Sequence, residues 1–136
     1  MNTTTVDLTE ITDTATGTFT PLHEVTDPAK VDALAAAMAE HGWQGPPIVS
    51  QGGSGGNALT GVHRLAAVDR LWNEEGVEVR IDHVDVGELC ERYGVDWTAL
   101  LMDEHDGDTY QAAAALRDLL PAEVRAYLGF DVDGAL

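Results

Sequence analysis

Glycine and proline cut this chain into pieces whose types are then nearly forced. In "TDPAKVDALAAAMAEHGW", Asp27 suits a helix N-cap, Pro28 suits the first helical position, and Gly42 suits the stop. Between them Val31, Leu34, Ala35 and Met38 recur at i, i+3, i+4 and i+7, one apolar stripe. A second helix is predicted over "VHRLAAVDRLWNEEG", opened by a tight turn at Gly61 and ended by Gly76. Its apolar face is expected to carry Leu65, Val68, Leu71 and Trp72. "GTFTPL" reads as a short strand with Phe19 and Leu22 inward. "GPPIVSQ" and "NALT" read as strands joined through the flexible "GGSGG". "VEVRIDHVDV" alternates, with Val77, Val79, Ile81 and His83 on one face of a strand.

The resulting order is β, α, β, β, α, β, followed by helical text from Gly87 onward. That predicts an α+β domain: a small mixed sheet packed by helices, with a helical C-terminal segment. Residues 1–16 are expected to be a flexible tail or edge strand, 17–86 the core, and 87–136 a helical extension packed on it. In that extension Trp97, Leu100 and Leu101 read as a buried helix side.

Composition narrows the function. Twenty-four acidic side chains face seven basic ones, a formal charge of −17, and Lys30 is the only lysine. So few cations release few counterions, which argues against sequence-independent DNA binding. The acidity is open to three readings: solvation in a salty cytoplasm, a surface for a basic partner, or solubility alone. One cysteine, Cys90, excludes an internal disulfide, and the polar start shows no signal-peptide pattern. No apolar run is long enough to span a bilayer. A cytoplasmic, non-membrane protein is the expectation.

"ALTGVHRLAA", residues 58–67, is the stretch with chemistry in it. A strand turning through Gly61 into a helix presents backbone N–H groups that have no partner within the helix, at the positive end of its dipole. Such a terminus suits an anion. His63 and Arg64 stand in that first turn, where cations oppose the dipole unless an anion offsets them. The competing reading is that both simply pair with nearby acids.

Gly-x-His-Arg after a strand, behind the Asp27-Pro28-Ala29-Lys30 helix start, resembles the ParB/sulfiredoxin superfamily. "PPIVSQ" and, more weakly, "VRAYLG" are similar to further elements of it. The resemblance covers residues 17–86 and, less closely, 121–130; residues 87–120 have no counterpart. It implies a nucleotide (ATP, ADP or CTP) or another small phosphorylated ligand, with room for Mg²⁺, bound by Lys30, Gly61, His63 and Arg64. Val62 stands where sulfiredoxins carry the catalytic cysteine, so sulfinic acid reduction is excluded, and Cys90 lies too far along the chain to be presumed a substitute. "PLHEV" resembles the lead-in of the superfamily's free serine kinases, which implies Glu24 as a general base in phosphoryl transfer or nucleotide hydrolysis. The opposing expectation is a non-catalytic acidic interaction module, viral or plasmid-borne, that meets a basic protein partner. A ParB-like nuclease comes third, and no metal-binding nuclease centre is evident in the sequence.

Lesser candidates are "DEHDGD" at 103–108, whose acids lack the spacing of a calcium loop, and the alternating pair His83 and Asp85, read as ligands or a cross-strand hydrogen bond. Trp43 beside Gly45-Pro46-Pro47 is read as a packing corner or the wall of a base pocket. A DNA-reading helix within 87–136 is rejected, because only Arg92, Arg117 and Arg125 supply cations there.

Overall fold

The structure, a computed structural model, describes residues 6–52, 55–128 and 130. It is α+β. A five-stranded mixed sheet has the order β1-β5-β3-β4-β2, formed by Thr12–Ala15 (β1), Thr20–Pro21 (β2), Ile48–Gln51 (β3), Asn57–Ala58 (β4) and Ile81–Asp85 (β5). β5 runs parallel to β3 and antiparallel to β1, while β4 runs antiparallel to β3 and parallel to β2. The expected edge strand in the N-terminal segment is β1. Both edges are short, and Pro21 blunts one of them, which limits pairing with other chains. Gly53 and Ser54 of the predicted hairpin connection, and residues 1–5 of the predicted tail, lie outside the described residues.

Alternation along the strands sends side chains to two different cores. Ile48 of β3 and Ile81 of β5 face α1 (Pro28–His41) and α2 (Val62–Glu75), where Val31, Ala35, Met38, Leu65, Val68 and Leu71 bury their side chains. Val49 and Val84 face the other way. They meet α3 (Val86–Arg92), α4 (Thr109–Leu119) and α5 (Ala122–Leu128) through Leu89, Cys90, Ala112, Ala113, Leu116, Val124 and Leu128. The sheet is therefore buried on both faces.

The local signals explain the first pair of helices. Asp27 caps α1 by accepting from the Lys30 N–H at 3.1 Å, Pro28 opens the helix, and Gly42 closes it at φ +79°. Gly76 closes α2 in the left-handed region, its N–H bonded to the Trp72 carbonyl at 3.1 Å. Four expectations need correction. The strand read over "VEVRIDHVDV" is ladder-bonded only at 81–85, because β1 and β3 supply partners only there. Trp72 is not part of the buried stripe: it is 58% exposed, one helical step past buried Leu71 and beyond the reach of the core. "DWTALLMDEHDG" is not a regular helix but passes through a π-helical turn at Ala99–Asp103, with Glu104 N–H on the Ala99 carbonyl at 3.1 Å. Trp97 and Leu101, read as buried with Leu100, are only partly covered.

Candidate functional site

The start of α2 is held by its neighbours on three sides. Just before it, the Thr60 hydroxyl accepts the Val49 N–H at 3.0 Å, tying the turn to β3. Gly61 follows at φ +84°, and a Cβ built there would lie 2.5 Å from Ile48 Cγ2 and 3.3 Å from Arg64 Nη2. Only glycine fits, for conformation and for space. Val62, His63 and Arg64 come next and all three are buried.

His63 is 2% exposed. Its Nε2 accepts the backbone N–H groups of Asp27 at 3.1 Å and Thr26 at 3.3 Å, with Thr26 Oγ1 at 3.4 Å. Two N–H donors converging on Nε2 place the ring proton of the neutral imidazole on Nδ1. The side chain thus pins the lead-in of α1 against the first turn of α2. Arg64, 6% exposed, turns elsewhere. Its guanidinium carbon lies 5.1 Å from the centroid of the Trp43 ring, and Nη1 donates to the Pro46 carbonyl. Trp43 Nε1 donates to that same carbonyl at 3.2 Å. Trp43 is therefore the packing corner expected at Gly45-Pro46-Pro47, and what it packs is Arg64.

His63 and Arg64, adjacent in sequence and expected to share a ligand, are directed to different neighbours. Lys30 stands half-buried in the first turn of α1, four and three residues beyond the Thr26 and Asp27 N–H groups that His63 caps. Glu24 is exposed on the lead-in to α1. It lines a cleft of about 490 Å³ together with His23, Val62, Leu65 and Asp69, so Glu24 and the first residue of α2 share one opening.

Cys90 is 1% exposed in the core behind the sheet, and its thiol is pushed up to about 12 by burial, then by the charges of Asp85 and Asp96. It stays protonated and inert at neutral pH. His83 Nδ1 lies 2.9 Å from the Ser50 hydroxyl across the β3–β5 pair, the cross-strand hydrogen bond expected of it. Asp85 instead caps α3, accepting from Gly87 and Glu88 N–H at 2.9 and 3.2 Å. Asp108 of the acidic run caps α4 by accepting from Gln111 N–H at 3.0 Å. Among the described residues no group of three or more His, Cys, Asp or Glu side chains is placed to hold a metal ion, and no helix is long and apolar enough to cross a membrane.

The residues that sequence reasoning missed are Asp69 and Trp72. An acid set into an otherwise apolar helical stripe was the available signal for the first. Asp69 lines the cleft beside Glu24, and its carboxyl is raised above the ordinary range by partial desolvation. Compared with known proteins, the chain matches no family model, no curated protein and no solved structure. What this site can do rests on its own geometry.

Proposed function

We propose that this is a ligand-binding domain for a nucleotide or other small phosphate ester, held where α1 and α2 begin. The observation that carries the reading is the His63 bridge. By taking up the Thr26 and Asp27 N–H groups it sets the start of α1, with Lys30 in its first turn, beside the start of α2. An anion there meets the first-turn N–H groups of α2 and the chain's only lysine. His63 and Arg64 serve this site as scaffold: one fixes α1, the other fixes the β3 entry through Pro46. The cleft lined by Val62, Leu65 and Ala66 takes the apolar part of the ligand. Glu24, on the wall of that cleft, is the group that fits a general base toward an acceptor hydroxyl.

Calorimetry with ATP, ADP, CTP and GTP, with and without magnesium, tests the reading. At least one should bind in the micromolar to millimolar range, and Lys30→Ala should weaken it by about 1.5 kcal/mol or more through loss of a charge-assisted contact. Glu24→Gln should leave binding intact and lower any phosphate release at least about tenfold. Absence of binding by all four nucleotides, or an unchanged Lys30→Ala protein, overturns the site. Binding without turnover in the wild-type chain, with serine and similar acceptors supplied, overturns only the role of Glu24.

A further inference from the structure

α2 presents a second surface, which meets the cleft of the phosphate reading only at Asp69. Asp69 and Trp72 are i and i+3 on this helix and lie side by side. With Glu78, Val68, Val79 and the 16–18 segment they line a groove of about 290 Å³, at the lower end of the roughly 300–1,000 Å³ of small-molecule pockets. Its floor is Val68 and Val79, both core residues that are 6% and 5% exposed. Its wall includes the Trp72 indole, a side chain left 58% exposed.

What marks this groove on an acidic surface is the combination of two carboxylates, an exposed indole and an apolar floor. The few cations nearby or on other elements serve other acids: Asp32 pairs with Arg70, Glu10 with Arg92 at 3.0 Å, and Asp118 with Arg117 at 3.6 Å. Arg70 follows Asp69 directly in the chain, yet it reaches toward Asp32 and Glu74. The groove lining holds Asp69 and Glu78 and no lysine or arginine. Among the described residues neither carboxylate has a hydrogen-bond or ion-pair partner. Asp69, exposed on α2, is nevertheless raised above the ordinary carboxylate range by partial desolvation, with no cation beside it to offset that shift.

We propose that the groove formed by Asp69, Trp72, Glu78, Val68 and Val79 is a docking site for an arginine side chain of a protein partner. A guanidinium stacks on the Trp72 face while its edge donates to the two carboxylates. The methylene stem lies on Val68 and Val79. The groove has room for one long side chain, so the rest of the partner rests on the surrounding acidic surface. Arginine fits better than lysine because its planar, weakly hydrated head meets an aromatic face and two acceptors at once.

The test is a titration of the isotope-labelled full chain with a capped Gly-Leu-Arg-Leu-Gly peptide at about 0.15 M salt, read by NMR. Saturable shifts are expected at the Trp72 indole N–H and at the Asp69 and Glu78 amides. Trp72→Ala and Asp69→Asn should each weaken binding at least about fivefold, while Glu91→Gln, an equal charge change on α3, stays within about twofold. Trp72→Phe, which keeps an aromatic face, should retain most of the affinity, and matching circular dichroism shows that each variant is folded. Replacing the arginine by citrulline should abolish binding. Four results overturn the proposal: no saturable shift, equal binding of the citrulline peptide, equal loss on Glu91→Gln, or equal affinity for free guanidinium. The site at Lys30 can fail without affecting any of these readouts.

Discussion

On the α1/α2 side of the sheet both helices run 14 residues, and each stops at a glycine. On the opposite side α3, α4 and α5 run 7, 11 and 7 residues, with a π-helical turn between the first two. The first side is specified by local chemistry, namely caps, stops and a left-handed turn. The second is specified by what it covers: Leu89, Ala112, Ala113, Leu116 and Leu128 are fully buried against Val49 and Val84. Alanines let α4 approach closely, so this side is filled by many small contacts. The candidate site lies on the locally specified side, where the backbone is pinned by named hydrogen bonds. The two sides should therefore fail differently, one when atoms are removed and the other when they are added.

The largest effects test that difference directly. Leu116→Ala removes a fully buried side chain from the α4 face, and should cost about 2–5 kcal/mol in chemical denaturation. Leu119→Ala, on the same helix but 56% exposed, should stay within about 0.5 kcal/mol. Gly61→Ala adds a single methyl group, 2.5 Å from Ile48 Cγ2 and at φ +84°, and should cost about 2–4 kcal/mol. Gly76→Ala adds the same methyl at φ +66° with nothing within 4 Å of it, so only the conformational cost remains, about 1 kcal/mol. If Gly61→Ala and Gly76→Ala proved equal, the close approach at the start of α2 would be wrong.

His63 comes next. His63→Ala leaves the Thr26 and Asp27 N–H groups without their acceptor, at a cost of about 1–3 kcal/mol. The loss should be local first: hydrogen exchange at those two amides should speed up before the rest of α1 is affected. Uniform acceleration across the whole chain would instead make His63 an ordinary core residue.

How far these features can be read from sequence follows the same division. The cap at Asp27, the stops at Gly42 and Gly76 and the turn at Gly61 depend on residues within one helical turn, and they were legible. So was the order of strands and helices. The directions of His63 and Arg64 were not. Their targets, Thr26 and Pro46, lie 37 and 18 residues away, and no local pattern encodes those contacts. The exposure of Trp72 was misread for a related reason. Periodicity gives the angle of a side chain about its helix, but not how far the next layer extends to cover it. The π turn at Ala99–Asp103 was invisible because its residues are compatible with an ordinary helix. Of the site, the glycine and the helix start were evident from sequence, whereas the groove at Asp69 exists only once Val79 and Glu78 have folded against α2.

The smallest effect is the most specific to that groove. Partial desolvation raises the folded-state value of Asp69 above that of the unfolded chain. Folding therefore favours the protonated form. The favourable contribution is fully present below the unfolded value and is lost as pH rises through the folded one. At about pH 7 the folded protein holds an ionised Asp69 at a cost, and Asp69→Asn should raise the melting temperature. At about pH 3, where both states are largely protonated, the gain should shrink toward nothing. Removing any acid from a chain of −17 also relieves general repulsion, so the comparison must be made against Glu91→Gln, which loses the same charge from α3. The excess of Asp69→Asn over Glu91→Gln reads the partial desolvation of the exposed Asp69 carboxylate in the groove. A saturating arginine peptide should reverse the order at neutral pH, because a bound cation turns that cost into an attraction. An excess that persists unchanged at about pH 3 would mean that the substituted amide packs better than the Asp69 carboxyl for reasons unrelated to charge.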